Sequence, residues 1–130
     1  MAGSLSANSV LRFSEEGYLS PLHALQTEEA AHYLTLVDDA RARGGPLKDR
    51  EYYKPHLYYP WLYDLVIRPD ILDAVESLLG EDLLVWGSAL FIKEPGQDQV
   101  IHWHQDSLHY GLEPEEAVTA WVAFTQSDSD

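Results

Sequence analysis

The sequence predicts an α+β protein with helices in the first part of the chain and strands in the second. Up to Gly80 the apolar residues recur at helical spacing, and after Gly80 they alternate with polar residues. Segregation of helices from strands along a chain is typical of α+β domains. We therefore expect residues 1–130 to form one domain, with residues 1–80 mainly helical and residues 81–130 supplying the first strands of a sheet.

The first helical signals come after an irregular start. Residues 1–11 have the composition of a loose leader, and Phe13–Tyr18 suits only a short element. A helix is predicted from Thr27 to about Arg43, because Thr27 suits an N-cap and apolar residues then recur at intervals of three and four. Two glycines and a proline follow this segment and predict its end.

A second helix is predicted from Pro69 to Leu79. Proline is favoured in a first turn, and Gly80 follows the last helical position. Its expected buried stripe consists of Ile71, Leu72, Val75, Leu78 and Leu79. Six aromatic residues crowd positions 52–63, where any helix begins after Pro60. We expect this aromatic cluster to pack the helices against the sheet, with lining of a substrate pocket as the alternative.

Three β-rich runs are predicted after Gly80. They cover Leu83–Lys93, Gln99–Asp106 and Val118–Thr125, with a turn at residues 94–97 between the first two. In the third run one face carries Thr119, Trp121 and Ala123. Three strands leave open edges, which predict self-association.

Composition excludes several classes of function. The formal net charge of −14, from 8 basic and 22 acidic residues, argues against nucleic acid and against anionic membrane surfaces. The absence of cysteine excludes disulfides and Fe–S clusters. The N-terminus lacks the features of a signal peptide, and no apolar run is long enough to span a bilayer. We expect a cytoplasmic protein whose partner is a small-molecule substrate.

The segment Trp103-His104-Gln105-Asp106 carries the strongest chemical signal. On an extended backbone His104 and Asp106 project from the same face, so an imidazole and a carboxylate can bind one metal ion and leave its other side open. Such a pair is two thirds of the two-histidine, one-carboxylate triad of non-haem Fe(II) oxygenases. A His-x-Asp match alone is common by chance, and its position on a strand among aromatic residues is what favours metal binding.

Two other histidines compete for the third ligand position. His102 shares the face of His104 and Asp106, but four residues of strand span about 13 Å, too far for donors that must lie within about 2.2 Å of one ion. We expect His102 to support the site from outside or to be an ordinary surface residue. His109 reaches the metal only if the chain doubles back after Asp106.

Three further residues allow both a structural and a functional interpretation. Lys93 ends a predicted strand and Lys54 lies between a tyrosine and a proline, so each is either a solvated lysine or the partner of an anion near the metal. Trp121 suits core packing and also contact with a cofactor, because its face of the strand could line a barrel interior.

Four segments together resemble the phytanoyl-CoA dioxygenase family. They are Ile71–Gly80 (ILDAVESLLG), Phe91–Gly96 (FIKEPG), Trp103–Asp106 (WHQD) and Thr119–Ala123 (TAWVA). Their order and spacing agree with the family from about Phe13 to the last residue. The resemblance implies a double-stranded β-helix (jelly-roll, cupin-like) core, an Fe(II) cofactor and 2-oxoglutarate as co-substrate.

The resemblance also implies roles for individual residues. His104 and Asp106 match the first two iron ligands, and Trp121 matches a tryptophan beside 2-oxoglutarate. Lys54 is a looser match to a lysine that contacts the co-substrate. Ala89 matches a position near the co-substrate, and Lys93 is typical of the strand end. Because an aspartate fills the carboxylate position that halogenating relatives leave empty, hydroxylation is favoured over halogenation.

The sequence departs from the family in length. Members are roughly twice as long, and their second iron histidine and the arginine that pairs with 2-oxoglutarate lie beyond Asp130. We therefore expect an N-terminal half of a dioxygenase domain, inactive when isolated. The alternatives are a fragment that folds only with a partner or a second copy, and a metal-binding module with two ligands.

Overall fold

The computed structural model describes residues 4–44, 53–94, 96, 100–106, 110–113 and 116–127. Helices form its regular structure, in the order α1 Ala7–Glu16, α2 Thr27–Arg43, a 3-10 helix Pro55–Leu57, α3 Pro60–Val66 and α4 Pro69–Leu79. In the part of the chain that the structure describes, no helix combines the length and the apolar character needed to cross a membrane.

Helix α1 replaces the loose leader and short element predicted before residue 19. The Ser6 hydroxyl accepts the Ser9 backbone N–H at 3.1 Å and so caps the first turn. Gly17 adopts a left-handed conformation (φ 78°), and its N–H donates to the Phe13 carbonyl, which ends the helix. The sequence-based prediction was wrong here because the serine cap, rather than a long apolar stripe, marks where this helix begins.

The predictions of α2 and α4 are confirmed. Gln26, one residue before the predicted Thr27, is the N-cap of α2, and its backbone N–H donates to the Glu29 carboxylate at 2.9 Å. Helix α4 begins at Pro69 and ends at Gly80 as predicted. Its apolar stripe is half-buried rather than buried, and Leu79 is exposed.

The predicted α+β fold with the first strands of a double-stranded β-helix is wrong for the described residues. These residues contain no strand or sheet, and the only pairing among them is an isolated antiparallel bridge between Tyr53 and Ala89. Large apolar side chains of the predicted strands lie exposed: Leu84, Phe91, Val100, Ile101, Trp103 and Trp121. Alternation of apolar and polar residues shows that a segment suits a pleated surface. A strand forms only when another strand lies alongside it.

The core lies among the helices. The buried apolar side chains of the described residues are Val37, Ala40, Leu62 and Leu65, and Pro55 and His56 of the 3-10 helix are buried too. Tyr33 of α2 lies against Trp61 of α3, with ring centroids 6.2 Å apart, and stacks on Phe124 at 5.4 Å. Of the aromatic residues at 53–63, Tyr59 and Trp61 pack among the helices, whereas Tyr53, Tyr58 and Tyr63 are exposed. The expected packing against a sheet is wrong, because the described residues form no sheet.

Candidate metal centre

His104 and Asp106 lie side by side at the end of segment 100–106. The His104 Nε2 atom is 3.0 Å from Asp106 Oδ1. The imidazole is exposed and the carboxylate is half-buried. The structure thus brings together the two residues that the sequence proposes as metal ligands, although the segment is not a strand.

A backbone carbonyl fixes the orientation of the His104 ring. Nδ1 lies 2.7 Å from the His102 carbonyl oxygen, which can only accept, so Nδ1 carries a proton and donates it. This bond, and then the negative charge of Asp106, raise the pKa of His104. In the neutral ring Nε2 is consequently the free ligating nitrogen. His102 contributes through its main chain, not its imidazole.

Asp106 is held by residues outside its own segment. The Thr119 hydroxyl donates to Asp106 Oδ2 at 2.5 Å, and the Tyr110 hydroxyl lies 3.4 Å from Thr119 Oγ1. The hydrogen bond from Thr119 and, after it, the neighbouring His104 lower the pKa of Asp106. Asp106 is therefore a carboxylate over most of the pH range, as a metal ligand must be.

The geometry of the pair fits a metal ion. Two donors about 2.1 Å from an ion, at the right angle of an octahedral site, lie about 3.0 Å from each other. With Nδ1 protonated, neutral Nε2 and Oδ1 are both acceptors, so their contact requires a proton on Nε2 or a cation between them. Among the described residues no third His, Cys, Asp or Glu joins them to form a metal-binding group, and His109 lies outside the described residues.

Lys54 and Ala89, two positions proposed near the co-substrate, are brought together by the bridge between Tyr53 and Ala89. The Lys54 N–H donates to the Ser88 carbonyl at 2.7 Å, and the Lys54 Nζ lies 5.1 Å from the centroid of the Trp86 ring. Lys54 has φ 57°, a left-handed conformation that is rare outside glycine. The backbone bond to Ser88 offsets the cost of this conformation and holds the ammonium group over the indole.

A chain of contacts connects Lys54 with the metal-ligand pair. The ring of Trp86 lies 4.4 Å from that of Tyr110, between centroids, and Tyr110 contacts Thr119, which bonds Asp106. Residues that are 52 positions apart thus belong to one cluster. The other two proposed co-substrate residues, Lys93 and Trp121, are exposed, and the Trp121 side chain is 77% accessible.

Three residues of this cluster were not proposed from the sequence: Trp86, Tyr110 and Thr119. The sequence did contain a signal for Thr119. In an extended segment Thr119 projects from the same face as Trp121, which lies two positions later. No pattern in the sequence indicates Trp86 or Tyr110, because their roles depend on contacts between distant segments.

An open hollow of about 200 Å³ adjoins the candidate ligands and is lined by Ile101, His102, Trp103 and His104. An imidazole and a carboxylate beside an accessible space are the kind of arrangement that mononuclear non-haem metal proteins use, which hold their ion on few protein ligands and leave positions open.

A comparison of the chain with known families shows which family it belongs to. The family model for phytanoyl-CoA dioxygenase (PhyH) matches residues 3–130, so the chain belongs to this family. Members of the family are in general dependent on Fe(II) and 2-oxoglutarate. Searches of curated proteins and of solved structures gave no significant match.

Proposed function

We propose that the protein takes part in Fe(II)- and 2-oxoglutarate-dependent hydroxylation of a small organic substrate, with His104 and Asp106 as iron ligands. The observation that carries the proposal is the 3.0 Å separation of Nε2 and Oδ1, with Nδ1 and Oδ2 each occupied by another partner. One nitrogen and one oxygen are thereby left to face a common point.

The chain's own residues would serve the chemistry in distinct ways. The His102 carbonyl keeps the proton of His104 on Nδ1, so that Nε2 is free to bind the metal. Lys54 supplies a positive charge for a carboxylate of 2-oxoglutarate. When bound, iron and 2-oxoglutarate supply the oxidising power, through decarboxylation of the co-substrate by dioxygen. Asp106 fills the carboxylate position, which favours hydroxylation over halogenation.

An anaerobic titration with Fe(II) and 2-oxoglutarate tests this function. We expect a visible charge-transfer band that saturates with 2-oxoglutarate in the wild-type chain and is absent in His104→Ala. His102→Ala is the matched control, because its imidazole makes no bond to the pair and the carbonyl remains. A folded wild-type chain without the band, or a band that survives in His104→Ala, would contradict the proposal.

The role of Lys54 is tested in the same titration. Lys54→Met should weaken 2-oxoglutarate binding about tenfold or more, since a hydrogen bond to a charged group contributes about 1.5–3 kcal/mol. Lys93→Met removes the same charge at the other lysine that the sequence offers as an anion partner. We expect a smaller effect there, because the contacts from Lys54 through Trp86 and Tyr110 to Asp106 do not include Lys93. Equal effects of the two variants would assign Lys54 no specific contact.

A second candidate function is metal binding without oxygenase turnover. The observation that favours it is that the described residues supply only two metal ligands. It predicts that Fe(II) binds weakly, that 2-oxoglutarate adds no charge-transfer band, and that no succinate forms.

A further inference from the structure

The two oxygens of Asp106 have different partners. Oδ1 faces His104 Nε2 at 3.0 Å, whereas Oδ2 accepts the Thr119 hydroxyl at 2.5 Å. A carboxylate with two free oxygens can rotate or bind an ion through both. A hydrogen bond to one oxygen opposes this rotation and occupies one of that oxygen's lone pairs, so the other oxygen is the more available donor.

Thr119 is itself restrained. It is β-branched, which limits the rotation of its side chain, and the Tyr110 hydroxyl lies 3.4 Å from its Oγ1. The Tyr110 ring in turn lies against Trp86, at 4.4 Å between centroids. The hydroxyl that bonds Asp106 thus comes from a different segment, 13 residues downstream, and it has a second contact there in Tyr110.

We propose that Thr119 is a positioning residue of the metal site, whose hydroxyl holds Asp106 Oδ2 so that Oδ1 alone is presented to the ion beside His104 Nε2. The proposal rests on the proposed function, because it takes His104 and Asp106 as the ligands. Hydrogen-bond partners of ligating side chains typically change metal affinity about 10- to 100-fold when removed.

Binding of Co(II) to the full chain, followed by its visible d–d absorption, tests this role. Thr119→Val keeps the shape of the side chain and removes the hydroxyl, and should weaken Co(II) binding about 10- to 100-fold. Thr119→Ser restores the hydroxyl and should bind within about threefold of wild type, with the same d–d band shape. Thr35→Val is the matched control, since the Thr35 hydroxyl donates to the Ala31 carbonyl at an exposed position of α2.

The outcomes separate this proposal from the proposed function. If wild type binds Co(II), His104→Ala does not, and Thr119→Val binds as tightly as wild type with an unchanged band shape, the positioning role is overturned and the function stands. Equal weakening in Thr119→Val and Thr119→Ser also overturns it, because the hydroxyl is then not the cause. A folded wild-type chain that binds no Co(II) overturns both.

Discussion

His56 shows how one buried side chain makes the stability of this protein depend on pH. Its imidazole is buried, and Nδ1 lies 2.6 Å from the Ser88 hydroxyl oxygen. Burial, followed by the positive charge of Lys54, lowers the pKa of His56. The folded protein therefore favours the neutral ring, whereas the unfolded chain takes up a proton near pH 6.5.

This difference predicts a loss of stability in mild acid. Above about pH 6.5 the ring is neutral in both states, and the contribution of His56 is fully present. As the pH falls from there toward the lowered pKa, the unfolded state gains a proton that the folded state does not bind. The free energy of unfolding should then decrease by at most about 1.4 kcal/mol per pH unit from this group.

Urea unfolding between pH 7.5 and pH 5 measures the effect. His56→Gln should reduce the pH dependence, while His32→Gln, at an exposed position of α2, should leave it unchanged. Equal slopes in wild type and His56→Gln would show that the ring is protonated in the folded protein as readily as in the unfolded chain.

At the scale of elements, one ion pair connects α2 with α4. Arg68, the N-cap of α4, donates to Glu29 in the first turn of α2 at 2.8 and 3.3 Å, and its Nη2 also reaches Asp70 at 3.4 Å. The Gln26 backbone N–H and then Arg68 lower the pKa of Glu29. The same carboxylate therefore caps α2 and connects it to α4.

We expect Glu29→Gln to lower the melting temperature at neutral pH more than Glu28→Gln, its exposed neighbour in the first turn of α2. Because the pKa of Glu29 is lowered in the folded state, its contribution is present above the ordinary glutamate range near pH 4.3 and is lost as the pH falls through the lowered value. The difference between the two variants should shrink at acid pH. Thermal melts at pH 7 and pH 3 measure it, and identical melts at pH 7 would exclude a stabilising role for the pair.

At the scale of the whole molecule, apolar surface is distributed unevenly. The helices enclose the buried side chains, whereas segments 81–94, 100–106 and 116–127 expose large ones. Trp103 is 93% accessible and lines the hollow beside His104, and Trp121 is 77% accessible. Large exposed apolar patches are typical of interaction surfaces.

Tryptophan fluorescence tests this distribution. Trp103→Phe and Trp121→Phe should each remove emission that acrylamide quenches readily, whereas Trp61→Phe should remove a more protected component, since Trp61 is half-buried against Tyr33 and Tyr59. Loss of a protected, blue-shifted component in Trp103→Phe or Trp121→Phe would contradict the exposure and would indicate that these segments are covered.

Some of this architecture could be predicted from the sequence, for local reasons. The ends of helices α2 and α4 depend on capping residues and prolines, and their faces on the spacing of apolar residues. These signals lie within a few residues of each other, so they can be read from the sequence. The spacing of His104 and Asp106 likewise indicated that both side chains can face one point. Family membership was also indicated by the sequence, since it rests on the order of short segments.

Features that depend on contacts between distant segments were decided only by the tertiary structure. Alternation in residues 83–125 predicted strands, but pairing is a contact between segments, and the described residues form a single bridge at Ala89. The same reason explains the cluster around Asp106. Thr119 bonds it across 13 residues, and Lys54 joins through Trp86 and Tyr110, because backbone conformation and ring packing, not spacing along the chain, bring these groups together.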